Sequence, residues 1–167
     1  MKEAGLESRQ PRRYRYRAPN RSALLADNHV NRAFNVENPE RVWCGDITFI
    51  RARNCWLYLA VVLDLFARKV VGWCFSEKAD SHLTQAAMMM AWHGRGCPQE
   101  VMFHWDNAVA ERLFFSLKTE WVPENGYRGA EEAKKDVMLY LKGYYNRKRP
   151  YSSNGGLSPA DKKRRIK

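Results

Sequence analysis

Residues 55–67 read CWLYLAVVLDLFA, an almost continuously apolar run rich in β-branched and aromatic side chains. A run of this length with no polar alternation is the pattern of a central strand buried on both faces. Its neighbours VWCGDITFI (42–50) and KVVGWCFSEK (69–78) are also strand-like and are set off by short polar or charged turns. Three sequential strands so joined predict an antiparallel meander.

A helix is predicted to follow in DSHLTQAAMMMAWHGRG, with Asp80 or Ser81 as N-cap, Leu83, Ala86, Ala87, Met90 and Ala91 as the inner stripe, and Gly94 or Gly96 as its end. The methionine run reads as core filler. After Pro98, EVMFH (100–104) predicts a short fourth strand, and because a helical crossover leads to it, a parallel one. A helix begins near Asn107, with Val109, Leu113, Phe114 and Leu117 inward, and Pro123 stops it. A last helix over 130–147 carries Val137, Leu139, Tyr140 and Tyr144, and the basic end DKKRRIK reads as a disordered, solvated tail, with DNA contact as the other reading.

Charge decides the class of partner. Twenty-nine Lys and Arg against 18 Asp and Glu give the 167-residue chain a formal charge of +11, which points to a polyanion, with nucleic acid foremost. No apolar run reaches the roughly 18 residues of a membrane span, and charge stands where a signal peptide needs an apolar stretch, so a cytoplasmic protein with no membrane partner is expected. Cys44, Cys55, Cys74 and Cys97 form no C-x-x-C pair and read as buried free thiols. His29, His82 and His93 have no zinc-ligand spacing. Residues 1–38 form a basic arm without apolar period, in which Arg12, Arg13, Arg15, Arg17 and Arg21 interleave with Tyr14 and Tyr16. That composition suits phosphate neutralisation and base stacking, and equally a solvated linker.

Two carboxylates stand out. Asp46 lies mid-strand among apolar residues, where a charge must be paired, metal-bound or open to a cleft. Alternation places it on one face with Cys44 and Thr48, and Gly45 would let a ligand approach the backbone closely. A salt bridge to Arg68 is the structural alternative. Glu111 and Lys118, seven residues apart on a helix, share a face, as a metal ligand beside a phosphate contact or as ordinary exposed charges.

Four blocks in order, NRAFNVENPERVWCGDITFI, WLYLAVVLDLFARKVVGW, WDNAVAERLFFSLKTE and YYNRKRPYSSNGGLSPA, resemble the catalytic subunit of bacterial insertion-sequence transposases of the OrfB type. The resemblance implies an α/β, ribonuclease-H-like integrase catalytic core, a mixed sheet of about four strands here, flanked by helices and basic tails. It also implies an Asp-Asp-Glu triad holding two Mg²⁺ ions, the arrangement that in-line attack on a phosphodiester uses. By motif, Asp46 of GDIT matches the first acid, Glu111 the last and Lys118 the family's basic residue. The implied partners are DNA, meaning transposon ends and target, and further copies of the chain or a full-length transposase.

The second acid is missing from its place. In the family it follows the fourth strand in a His-Ser-Asp-x-Gly turn, with about thirty-five residues, including a fifth strand, before the glutamate. Here VMFH passes directly to WDNAVAER, so His104 matches the turn and Asp106 the residues before the last core helix. Asp106 restores a His-x-Asp spacing but reads as an N-cap of the helix bearing Glu111. The expected organisation is an arm at 1–38, a core at 39–122 with a deletion near 104–106, and a C-terminal helix and tail at 123–167. The chain is also expected to be shortened at its front, where MKEAGL opens it. A catalytically impaired transposase remnant follows, with a non-catalytic DNA-binding or inhibitory protein as the alternative.

Overall fold

The computed structural model describes residues 36–53, 55–105 and 108–165. They form a four-stranded sheet, order β3-β2-β1-β4, from β1 (Val42–Ala52), β2 (Cys55–Asp64), β3 (Lys69–Ser76) and β4 (Met102–Trp105). The first three strands are the predicted antiparallel meander, and β4 lies parallel to β1, as the crossover requires. β2 is buried on both faces: Leu57, Leu59, Val61 and Leu63 enter one core, Ala60 and Val62 the other. It ends earlier than its apolar run. The Asp64 carboxylate accepts the Phe66 N–H at 3.2 Å, the Leu65 N–H donates to the Val42 carbonyl at 3.0 Å, and Arg68 takes a left-handed φ of 57°, so 65–68 turn back over the sheet.

The helix α1 (Ser81–Gly94) is capped by Asp80, which accepts the Leu83 N–H at 3.0 Å. Its inner stripe is narrower than predicted: Leu83, Ala87 and Ala91 are buried, whereas Ala86 and Met90 are exposed. Gly72 of β3 gives the reason. A Cβ there would collide with the Ala87 carbonyl and stand 2.8 Å from Ala91 N and Cβ, so helix and strand touch along one line of small residues. Met89 and Met90 therefore face solvent, against the reading of the run as core filler, and only Met88 packs on that core.

The opposite face carries α2 (Ala108–Glu120) and α3 (Ala130–Met138). Val109, Leu113, Phe114 and Leu117 of α2 are all buried as predicted, each large side chain contributing about 1.5–3 kcal/mol. α3 does not run on as a regular helix but opens into a π-helical segment, Leu139–Tyr145. Five-residue spacing turns Tyr140 and Tyr145 inward together and swings Leu139 out to 64% exposure, correcting its placement in the core. The C-terminal segment is built onto this core. Asn154 Nδ2 donates to the Ala67 carbonyl at 2.9 Å, and Arg149 donates to both carboxylate oxygens of Glu120 and to Ser116 Oγ.

The basic end is ordered through 165, contrary to the disordered-tail expectation: Ser158 caps α4 (Pro159–Arg164), Lys163 pairs with Glu40, and Lys162 lies over the Phe66 ring at 5.3 Å. All four thiols are free, but only Cys44 is buried; Cys97 is exposed because its left-handed turn (φ 54°) follows the helix end instead of entering the core.

Candidate functional site

Alternation along β1 sends Cys44, Asp46, Thr48 and Ile50 toward α2, as expected, and Gly45 and Ile47 toward α1. The space over Gly45 is therefore not on the Asp46 face. It is filled by two aromatic rings of β4, since a Cβ on Gly45 would meet Trp105 Cζ3 at 2.7 Å and Phe103 Cζ at 2.8 Å. The close approach that Gly45 permits is that of β4, not of a ligand.

Asp46 is half-buried, and its Oδ1 accepts the Ile47 N–H at 2.7 Å. Arg41 and Arg51 direct their carbonyls to Met102 N–H and Tyr127 N–H, so odd residues of β1 point their backbone groups to the β4 side. β4 pairs only with residues 42–45, so Ile47 lies just beyond it and Asp46 occupies an edge amide that a longer β4 would take. Neighbouring groups feel the carboxylate. The Cys44 thiol is pushed up to about 12 by burial, with Arg68 lowering it and Asp46 raising it. The Lys118 ammonium is held below its usual value by loss of water, while Asp46 acts in the opposite sense. Lys118 as a residue is exposed; its Nζ end lies 4.4 Å from the centroid of Phe49.

Glu111 stands in the first turn of α2, exposed, where a carboxylate also favours the helix dipole. Asp46 and Lys118 thus meet electrostatically across the β1–α2 packing. Arg12, Arg13, Arg15, Arg17 and Asp106 lie outside the described residues. Sequence reasoning gave His104 no role beyond its motif match. It stands opposite Cys44 in the β1–β4 register, on the Asp46 face, and its Nε2 is buried with no hydrogen-bond partner among the described residues. Two-residue alternation, with Phe103 and Trp105 turned to the other face, was the signal for it.

The carboxylates Asp46 and Glu111 come from separate elements, β1 and α2. They do not make up a set for two ions: among the described residues, no group of three or more His, Cys, Asp or Glu side chains is able to hold a metal.

Comparison with known proteins identifies the group to which these elements belong. The integrase core domain matches residues 36–111. Transposase InsF of insertion sequence IS3A from Escherichia coli (strain K12) is 31% identical over 193 residues, covering 95% of this chain and 66% of that protein. The InsO protein of insertion sequence element IS911B, from the same strain, is 49% identical over 112 residues, covering 67% of this chain and 57% of its own length. The chain belongs to the insertion-sequence transposases with an integrase core. It spans 57% and 66% of the lengths of these two relatives. A solved structure, the HTLV-2 integrase catalytic core domain in complex with magnesium, is similar at a TM-score of 0.49 and 16% identity, covering 74% of this chain and 95% of that one.

The sheet order and the helices on both faces are those of a ribonuclease-H-like α/β fold, and the sheet ends at β4 among the described residues. The InsF match runs over 193 positions, whereas 95% of 167 residues is about 159, so about 34 positions of InsF have no counterpart here. Among the described residues no helix is long and apolar enough to cross a membrane.

Proposed function

We propose that this chain is a transposase core that binds DNA but has lost strand transfer, with Asp46 and Glu111 as the retained metal-binding carboxylates and Lys118 as a phosphate contact. The observation that carries the reading is the junction: β4 ends at Trp105 and α2 begins at Ala108, leaving two residues where the family holds its second acid and fifth strand. The roughly 34 unmatched positions of InsF agree with a deletion of that size. Asp106 precedes Glu111 by only five positions in the sequence, where the family sets about thirty-five residues between its last two acids. Two-metal chemistry tolerates ligand displacements of only about 0.5 Å.

On this reading Asp46 and Glu111 would hold at most one Mg²⁺, whose chemistry when bound is to polarise a phosphodiester oxygen. DNA remains the partner through the excess of cations, including Arg12, Arg13, Arg15 and Arg17, and further transposase copies are the protein partners.

The test is a Mg²⁺-dependent cleavage and strand-transfer assay on transposon-end duplexes, with Asp46→Asn and Glu111→Gln beside the unmodified chain. The expected result is salt-sensitive DNA binding without turnover in all three. Turnover in the unmodified chain that both substitutions abolish would show that the catalytic set is complete and overturn the proposal.

A further inference from the structure

At the sheet edge opposite β4, a cleft of about 670 Å³ is lined by Lys69, Arg95, Lys142, Arg147, Lys163 and Arg164, with Trp73 and Asn146 between them. These cations come from β3, the end of α1, the π-helical segment, the turn that follows it and α4. Lys69, Arg95 and Lys163 are half-buried and form the floor, while Lys142, Arg147 and Arg164 stand exposed at the rim. A second hollow of about 430 Å³ borders it, sharing Lys142 and Arg147 and adding Lys135, Met138 and Leu139, with a mostly apolar lining.

Neutralisation is incomplete. Glu40 serves both Arg95, at 3.5 Å, and Lys163, and Asp161 serves Arg164 at 3.5 Å. Lys69, Lys142 and Arg147 have no ion pair among the described residues, and Lys142 instead lies over the Trp73 ring at 4.8 Å. The Lys69 ammonium is held below its usual value by burial and by the repulsion of Arg95 and Lys163, as expected where cations crowd. Half-buried cations in a concave, poorly solvated wall focus a positive field outward.

The lining also limits what is recognised. Asn146 spends its amide on the Val70 backbone, and the remaining charged side chains are cations, so the cleft offers donors suited to phosphate oxygens and no carboxylate or free amide to accept from the amino groups of bases. We infer that this cleft is a second, non-catalytic site that holds the phosphate backbone of nucleic acid without reading its sequence. It rests on the reading of the chain as a DNA-acting protein but not on the Asp46 site, since the cleft opens at β3 and β2 lies between that strand and β1.

The test uses the full chain in EDTA, so that metal chemistry does not enter, and fluorescence anisotropy with two labelled duplexes of unrelated sequence. Lys142→Glu, Arg147→Glu and Arg164→Glu are combined as a rim variant. A control with the same change in net charge combines Arg53→Glu, Lys78→Glu and Arg128→Glu, three exposed cations absent from the cleft lining.

The rim variant is expected to bind both duplexes about tenfold or more weaker, while the control changes much less. Its slope of log affinity against log salt should be shallower by about 0.9 for each phosphate that is no longer neutralised. Binding is read in EDTA and strand transfer in Mg²⁺, so strand-transfer results and cleft results fail separately. Equal weakening in rim variant and control, or none in either, would overturn the proposal. So would binding of tripolyphosphate or poly-glutamate that disappears in the rim variant while duplex binding is kept, since the cleft would then serve a small phosphate or an acidic protein. Melting curves confirm folding, and Lys142→Gln with Arg147→Gln gives a milder second variant that must weaken duplex binding in the same direction.

Discussion

Asn146 and the backbone of Val70 exchange two buried hydrogen bonds: the Val70 N–H donates to Asn146 Oδ1 at 2.9 Å, and Asn146 Nδ2 donates to the Val70 carbonyl at 3.0 Å. β3 is an edge strand with a register shift opposite Val62 and Leu63, and the side-chain amide completes there the pairing that a neighbouring strand would supply. An asparagine in YYNRKRPYSSNGG thus ties the C-terminal segment to the sheet.

Asn146→Ala leaves both groups of Val70 buried without a partner, a loss of about 2–4 kcal/mol from two unsatisfied polar groups. Equilibrium denaturation in urea should show a lower midpoint with an unchanged slope. A loss below about 1 kcal/mol would mean that water replaces the amide and that the tie is not structural.

Gly72→Ala is expected to destabilise by about 1–3 kcal/mol, the range for forcing atoms into a close-packed interface. The added Cβ meets the α1 backbone at Ala87 and Ala91, which cannot rotate away as a side-chain tip can. Gly94→Ala is the matched control, because a Cβ at Gly94 meets nothing within 4 Å. Thermal melts of the two variants should separate clearly; equal melting temperatures would contradict the helix–strand packing described for α1.

The meander, the parallel β4 and the inner stripe of α2 were legible in the sequence because each depends on an element's own periodicity or on the connection that leads into it. What the sequence did not reveal arises between elements. The stripe of α1 narrows to Leu83, Ala87 and Ala91 because Gly72 on another strand brings the helix close, and Leu139 leaves the core because the helix widens over a cluster of tyrosines. At the site, helical spacing linked Glu111 to Lys118, whereas the electrostatic neighbour that acts on Lys118 is Asp46, reached only by packing β1 on α2. The basic cleft was hidden for the same reason, its cations being spread from Lys69 to Arg164.

Asp64 gives a pH dependence with a definite sign. It is buried, Oδ2 has no hydrogen-bond partner among the described residues, and burial followed by repulsion from Glu40 raises its pKa from 3.8 to about 6. A carboxyl whose folded pKa is raised binds more protons in the folded state. Its contribution therefore favours folding at low pH and is lost as pH rises from about 4 through about 6. Asp64→Asn removes that loss while keeping an acceptor for the Phe66 N–H. The variant should be more stable than the parent at pH 7, by up to about 3 kcal/mol, with the advantage shrinking toward pH 4. Melting temperatures of both proteins across pH 4–7 measure it, and parallel curves would show that Asp64 titrates normally.

Lys118 tests whether Asp46 belongs to a site with α2. Loss of water lowers the ammonium pKa and the Asp46 charge opposes that lowering. Neutralising the acid by Asp46→Asn should therefore move the Lys118 pKa further down, whereas Glu111→Gln should leave it in place, since Glu111 is not among the charges acting on it. A ¹³C-lysine NMR titration, with Lys118→Met to assign the signal, reads both shifts directly. The expected Asp46→Asn change is downward, as for the loss of an opposite charge nearby. An unmoved Lys118, or one that responds to Glu111→Gln instead, would place the lysine with the helix acid and remove it from the Asp46 site.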